Sequence, residues 1–155
     1  MPDAGWDDAA TWPAHLRPGA LRWVRSSRHY EDTVEFYRDV VGLPVVDTFS
    51  ASFDEDGTIF GLPDTTVQIE VVRATGSVRS PDQFDQLVFY LSGAAAVEAA
   101  VEPLLTTGRE PDPAAHPYWL ARGAVVFLDP DGRGVVFAPW VYGREPEPGA
   151  PDGEG

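Results

Sequence analysis

The sequence contains no cysteine. Disulfides, thiolate metal sites and a Cys nucleophile are therefore excluded. Basic residues are scarce: 11 Lys and Arg stand against 25 Asp and Glu, for a net charge of −14 at pH 7. Such a chain cannot neutralise a run of phosphates, so nucleic acid is excluded as a partner, and an anionic membrane is a poor one. The acidity reads instead as a solubility feature, or as the mark of a high-salt or acidic-proteome host. No apolar run approaches the roughly 20 residues that span a bilayer. The start, Met1 to Asp8, has neither a basic nor an apolar stretch and does not read as a signal peptide. The expectation is a cytoplasmic protein.

What is present suits one domain. A length of 155 residues with 43% hydrophobic residues is enough for a real core. Both ends read as tails. Residues 1–17 are acidic and Ala-rich, although Trp6 and Trp12 could pack on the domain, and residues 143–155 are rich in Pro, Gly and acid and are expected to be disordered. The domain between them, 18–142, divides into two units of similar layout, about 18–75 and 82–142.

The first unit opens with a strand near Leu21–Ser26. A helix over about Tyr30–Val41 carries Thr33, Phe36, Tyr37, Val40 and Val41 at helical spacing, with Gly42 placed for a left-handed cap. Strands follow near Val45–Ser50, Thr58–Phe60 and Thr66–Arg73, with Asp56-Gly57 and Leu62-Pro63-Asp64 as the turns. The second unit repeats the order. A strand covers Gln83–Leu91, Ser92 is a candidate N-cap, and a helix runs from about Ala94 to Thr107. Pro103 predicts a kink or break in it. A short strand near Glu110 precedes strands at Gly123–Leu128 and Gly134–Pro139, which Asp129-Pro130-Asp131-Gly132 joins in a tight turn. The pattern is strand-helix-strand-strand-strand, twice, at an offset of about 64–67 residues.

Two strings carry a family resemblance. Glu35-Phe36-Tyr37-Arg38-Asp39-Val40-Val41-Gly42-Leu43 resembles the first helix of the vicinal oxygen chelate proteins (the glyoxalase and bleomycin-resistance-like group). Asp129-Pro130-Asp131-Gly132 and the apolar residues after it resemble their last hairpin. Gly61-Leu62-Pro63 and Pro117-Tyr118-Trp119 resemble a branch described only as glyoxalase-like. The resemblance covers about residues 19–141. It implies an α+β fold of two βαβββ modules whose curled mixed sheets enclose a cavity, within one chain or across a homodimer. Metal-using members place four ligands there. The matching positions here are Arg22, Glu70, Gln86 and Val136. Arg stays protonated and Val has no donor atom, so one carboxylate and one amide remain, too few for Zn, Ni or Fe. The resemblance therefore implies a site without metal or other cofactor.

Strand alternation sorts the neighbours of these positions. Val24 and Ser26 share the face of Arg22, Gln68 and Val72 that of Glu70, and Val88 and Tyr90 that of Gln86. Gly134 and Ala138 share the face of Val136. The opposite faces carry Leu21, Trp23, Ile69, Val71, Leu87, Phe89, Val135 and Phe137 as core. Arg22 and Glu70 then share one half-barrel. They form either a plain salt bridge or a site where Arg22 holds a ligand carbonyl or carboxylate and Glu70 accepts a hydrogen bond or acts as base. His29 and His116 are each a surface or capping residue or a proton-transfer group at the cavity rim. Tyr118 and Trp119 either wall the pocket or anchor their loop. Phe49, Phe53 and Phe60 are core or pocket wall. Asp54-Glu55-Asp56-Gly57 lacks the remaining ligands of a calcium loop.

Three functions fit. The first is metal-independent binding of a small organic molecule, as in drug or metabolite sequestration, with Arg22, Gln68, Gln86, Tyr90, Tyr118 and Trp119 on the ligand. The second is a metal-independent isomerase, cyclase or lyase with Glu70 as base and Arg22 or Gln86 on the developing oxyanion. The third is a divalent-metal enzyme using Glu70, Gln86 and a loop histidine.

Overall fold

The computed structural model describes residues 13–16 and 18–142. Most of the N-terminal tail, and the disorder expected for 143–155, lie outside the described residues. Ala14–Leu16 form one turn of 3-10 helix.

The first unit comprises β1 (Leu21–Ser27), α1 (Tyr30–Glu35), β2 (Val45–Ser52), β3 (Glu55–Gly61) and β4 (Val67–Arg73). Its sheet has the order β1-β4-β3-β2, with β1 parallel to β4 and the other pairs antiparallel. The second unit comprises β5 (Gln86–Tyr90), α2 (Ala94–Thr106), α3 (Pro117–Leu120), β6 (Val125–Leu128) and β7 (Gly134–Ala138). Its sheet has the order β5-β7-β6, with β5 parallel to β7. This is the expected mixed α+β architecture with two mixed sheets, the second of three strands rather than the expected four.

The helix predicted over 30–41 is α-helical only to Glu35 and continues as a π-helical turn, Phe36–Val41. Gly42 and Leu43 both donate to the carbonyl of Tyr37, at 3.1 and 2.8 Å. The wider turn buries Phe36, Tyr37 and Val40 together. Gly42 closes it at φ 88°, a left-handed conformation that a side chain would strain.

Several local expectations need correction. The first hairpin turns at Phe53 and Asp54, both at positive φ, and not at Asp56-Gly57, which lies in β3. The Asp56 carboxylate instead accepts from Ala51 N and Ser50 Oγ, tying down the strand before the turn. Gly93, not Ser92, is the N-cap of α2, and α2 runs through Pro103 to Thr106. Pro103 falls in the last turn, where one lost hydrogen bond does not end the helix. Among the described residues no strand forms near Glu110. Pro111 and Pro113 remove two donors, and the segment keeps one strand-like contact, Asp112 N to Val126 O at 2.8 Å.

One core lies between the sheets and the helices. It joins Phe36, Tyr37, Val40, Phe60, Ile69 and Val71 of the first unit to Val97, Val101, Leu104, Phe127, Val135 and Phe137 of the second. Leu87 and Phe89 pack against it. Leu21 and Trp23 do not join it and are each 58% exposed. They occupy the start of an edge strand, while the helix layer covers its Ser27 end, where Ser27 Oγ meets Thr33 Oγ1 at 3.2 Å.

Candidate ligand-binding site

Residues paired across a sheet share a face. Arg22 pairs with Gln68 and Val24 with Glu70, and Glu70 pairs on with Ile59. Ile69 and Val71 point into the helix-covered core, so Arg22, Val24, Gln68, Glu70 and Ile59 make the inner face of the first sheet. There Arg22 Nη1 donates to Glu70 Oε2 at 3.0 Å and Arg22 Nε to Gln68 Oε1 at 3.4 Å. The Glu70 side chain is 10% exposed and that of Arg22 is 50% exposed. A buried carboxylate is thus held by a guanidinium whose outer edge is open, with Val24 and Val46 exposed on the same unit. The ring of Phe49 lies over Gly57, where an added Cβ would clash with it.

The inner face of the second sheet differs. Val126, Val136 and Ala138 are covered by Trp119 and Trp140, with Tyr118, Ala115 and Val88 around them. The Tyr118 and Trp119 rings meet at 4.9 Å, and Trp119 and Trp140 at 6.1 Å. Tyr118 and Trp119 are thus gathered into an aromatic cluster over this sheet. Their segment is the short helix α3, not an open loop. Pro117 starts it, and His116 caps it by accepting Tyr118 N–H on Nδ1 at 3.1 Å.

Between this segment and the sheet remains a cavity of about 150 Å³, lined by Gln86, His116, Gln83, Asp82, Asp112 and Val126 among others. Gln86 and His116 thus come together, and Arg22, Gln68 and Glu70 come together on the other sheet. Tyr90, exposed at the end of β5, and His29, exposed before α1, line neither group. His29 acts through its backbone N–H, which donates to Ser27 Oγ and Asp131 Oδ1 at 3.2 Å each. Phe53 is 98% exposed, while Phe60 is core.

The four positions that would carry metal ligands do not form a donor set. Arg22 offers only donors and spends one on Glu70, and Val136 is a buried aliphatic, so only one carboxylate and one amide remain. Among the described residues no three His, Asp or Glu side chains are arranged to hold a metal ion. The residues present do not fit a divalent metal.

Asp129-Pro130-Asp131-Gly132 is the expected turn and has a second task that its sequence does not signal. Asp131 reaches the first unit. Its Oδ2 accepts from Ser27 Oγ at 2.6 Å and Thr33 Oγ1 at 2.9 Å, and its Oδ1 from Arg28 N at 3.0 Å. Burial pushes its pKa up, but these hydrogen bonds outweigh it and hold the carboxyl below its ordinary value. Asp129 accepts Tyr37 O–H at 2.7 Å and two backbone N–H groups, and burial there wins, raising its pKa. Burial, then the nearby Asp129 charge, raises the Tyr37 phenol well above its usual range. The sequence shows only a pair of acids inside a turn between two apolar strands.

The model of the Glyoxalase/Bleomycin resistance protein/Dioxygenase superfamily matches residues 21–137. Among solved structures, a YycE protein of unknown function from Bacillus subtilis is similar at 27% identity and TM-score 0.71, covering 85% of this chain and 94% of that one. A fosfomycin resistance protein, FosX, from Listeria monocytogenes, complexed with Mn(II) and a dihydroxypropylphosphonic acid, is similar at 10% identity and TM-score 0.60, over 83% of this chain and 96% of that one. TnmS3, an antibiotic binding protein from Streptomyces sp. CB03234, is similar at 15% identity and TM-score 0.58, over 79% and 96%. No curated protein matches the chain by sequence. No helix among the described residues is long and apolar enough to cross a membrane.

Proposed function

Since this chain belongs to the glyoxalase/bleomycin resistance protein/dioxygenase superfamily, we propose that it is one of the members that bind a small organic molecule without using a metal. The observation that carries this reading is the Arg22–Glu70 pair at 3.0 Å. A guanidinium fills a position where metal-using members hold a ligand, and it neutralises the carboxylate that a cation would otherwise need. The free edge of Arg22, with Gln68 beside it, is suited to a carbonyl or carboxylate of the ligand. Val24 and Val46 offer the apolar surface around it. Gln86 and His116 supply polar contacts from the second unit.

The inner face of the first sheet is open in one chain, and ligand sites bury most of their ligand. A second copy of the chain closes this face in the proposed homodimer. The test is calorimetric titration of chelator-treated protein with a panel of aromatic and polycyclic antibiotics, alongside a solution mass. Saturable binding by a dimer, lost in Arg22→Ala, supports the reading. Metal-dependent binding, or affinity indifferent to Arg22, contradicts it.

A further inference from the structure

A second groove lies at the edge of β1, between Trp23–Ser26 on one side and Val78–Asp82 on the other. It has a volume of about 430 Å³, and Asp85 and Arg133 also line it. The chain has no lysine and carries its −14 net charge with 11 arginines as its only strong bases. Three of them, Arg25, Arg79 and Arg133, line this one groove.

Of the two acids there, Asp85 is already paired and Asp82 keeps one oxygen free. Asp85 is held by Arg25 at 3.2 Å and by Arg133 at 3.1 Å. Asp82 accepts the N–H of Phe84 on Oδ1 at 2.7 Å. The bases are not all committed. Arg79 is exposed and pairs with no described residue. The side chain of Arg25 is nine-tenths buried. Its Nη2 serves Asp85 and, at 3.3 Å, the carbonyl of Gln86, while its Nη1 is buried with no acceptor. A buried donor left unmade costs on the order of 1–3 kcal/mol, so such groups normally have a partner.

The remaining wall is Trp23, whose ring is mostly exposed and lies 5.8 Å from the Arg25 guanidinium. A flat apolar surface beside unspent guanidinium donors selects a planar anion.

We propose that this groove is a second binding site, for a small aromatic carboxylate. Its ring stacks on Trp23, and its carboxylate is held by Arg79 beside the Arg25 guanidinium. Trp23 and Arg25 lie on the face of β1 opposite Arg22, while Val24 and Ser26 line the groove from the Arg22 face, so the groove wraps the edge of β1; Arg22, Gln68 and Glu70 do not line it. The net charge of the chain repels anions at long range, so close contacts must supply the binding, and added salt weakens them.

The test is calorimetry of the full chain with 2-naphthoate, compared with 2-naphthalenemethanol, which lacks the carboxylate, and cyclohexanecarboxylate, which lacks the aromatic ring. Arg79→Gln and Trp23→Leu change exposed side chains, and their folding is checked by thermal unfolding. Expected is one saturable 2-naphthoate site per chain, weakened at least about tenfold by each variant and unchanged by Arg22→Gln, with both control compounds weaker. The proposal is overturned by no saturation below about 10 mM. Binding that survives both Arg79→Gln and Trp23→Leu overturns it too. So does binding lost with Arg22→Gln, which would assign the anion to the other face.

Discussion

Arg22 on β1 donates from Nη1 to Glu70 Oε2 at 3.0 Å, two positions along β4 from Gln68, the residue it pairs with directly. The pair is lopsided: the carboxylate is nearly buried and the guanidinium half exposed. Removing the guanidinium strands a buried charge, but solvent reaching Arg22 limits the loss. Arg22→Ala is expected to destabilise by about 1–2 kcal/mol. The double variant Arg22→Ala/Glu70→Ala should recover part of it. Urea unfolding of the four members of the cycle checks this, and strict additivity would mean the pair is not coupled.

The same carboxylate separates a binder from an enzyme. Glu70→Gln keeps the shape and a hydrogen-bond acceptor for Arg22 but cannot take a proton. In a binding protein, ligand affinity stays within about tenfold, a change of about 1.4 kcal/mol or less. In a metal-independent isomerase or lyase with Glu70 as base, turnover collapses while ligand still binds. Once a ligand is in hand, calorimetry and product analysis on the two proteins read out both quantities.

Two neighbouring aspartates should answer pH in opposite directions. The folded pKa of Asp131 lies below its unfolded value. Its contribution to stability is therefore present above the unfolded carboxylate pKa of about 3.9 and lost as pH falls through the folded value. The folded pKa of Asp129 lies above its unfolded value, so its contribution is full below that unfolded pKa and lost as pH rises through the folded one. At pH 7, Asp131→Asn should cost about 1.5–3 kcal/mol, because Ser27, Thr33 and two backbone N–H groups lose a charged acceptor. Asp129→Asn should be within about 1 kcal/mol of the parent, since its amide oxygen keeps both N–H bonds and Tyr37 can turn its hydroxyl. Denaturation at pH 7 and on the acid limb distinguishes them; equal losses would contradict the assignment.

The fold was legible where two kinds of signal agreed. Helical spacing in Thr33-Phe36-Tyr37-Val40 together with Gly42 marked the first helix and its end. Strand alternation placed Arg22, Gln68 and Glu70 on one face, and their contacts follow from that. The π-helical turn was not legible, because buried apolar residues at 36, 37 and 40 satisfy either helical period. Leu21 and Trp23 were assigned to the core by alternation alone, which says which face a residue takes but not whether anything covers it. Tyr118 and Trp119 could be placed only once Trp140, far along the chain, closed the cluster. The bond from Asp131 to Ser27 spans 104 positions and leaves no local pattern. The same holds for Asp85, which links Arg25 to Arg133 across the two units.

The most direct test of the central claim is the metal content of untagged protein, as purified and after incubation with Mn, Ni, Zn or Fe(II) and desalting, for the parent and Glu70→Ala. The account predicts that neither protein retains stoichiometric metal. Near-stoichiometric metal in the parent, released by Glu70→Ala, would contradict it and make Glu70 a metal ligand, with Arg22 moved aside to admit the ion.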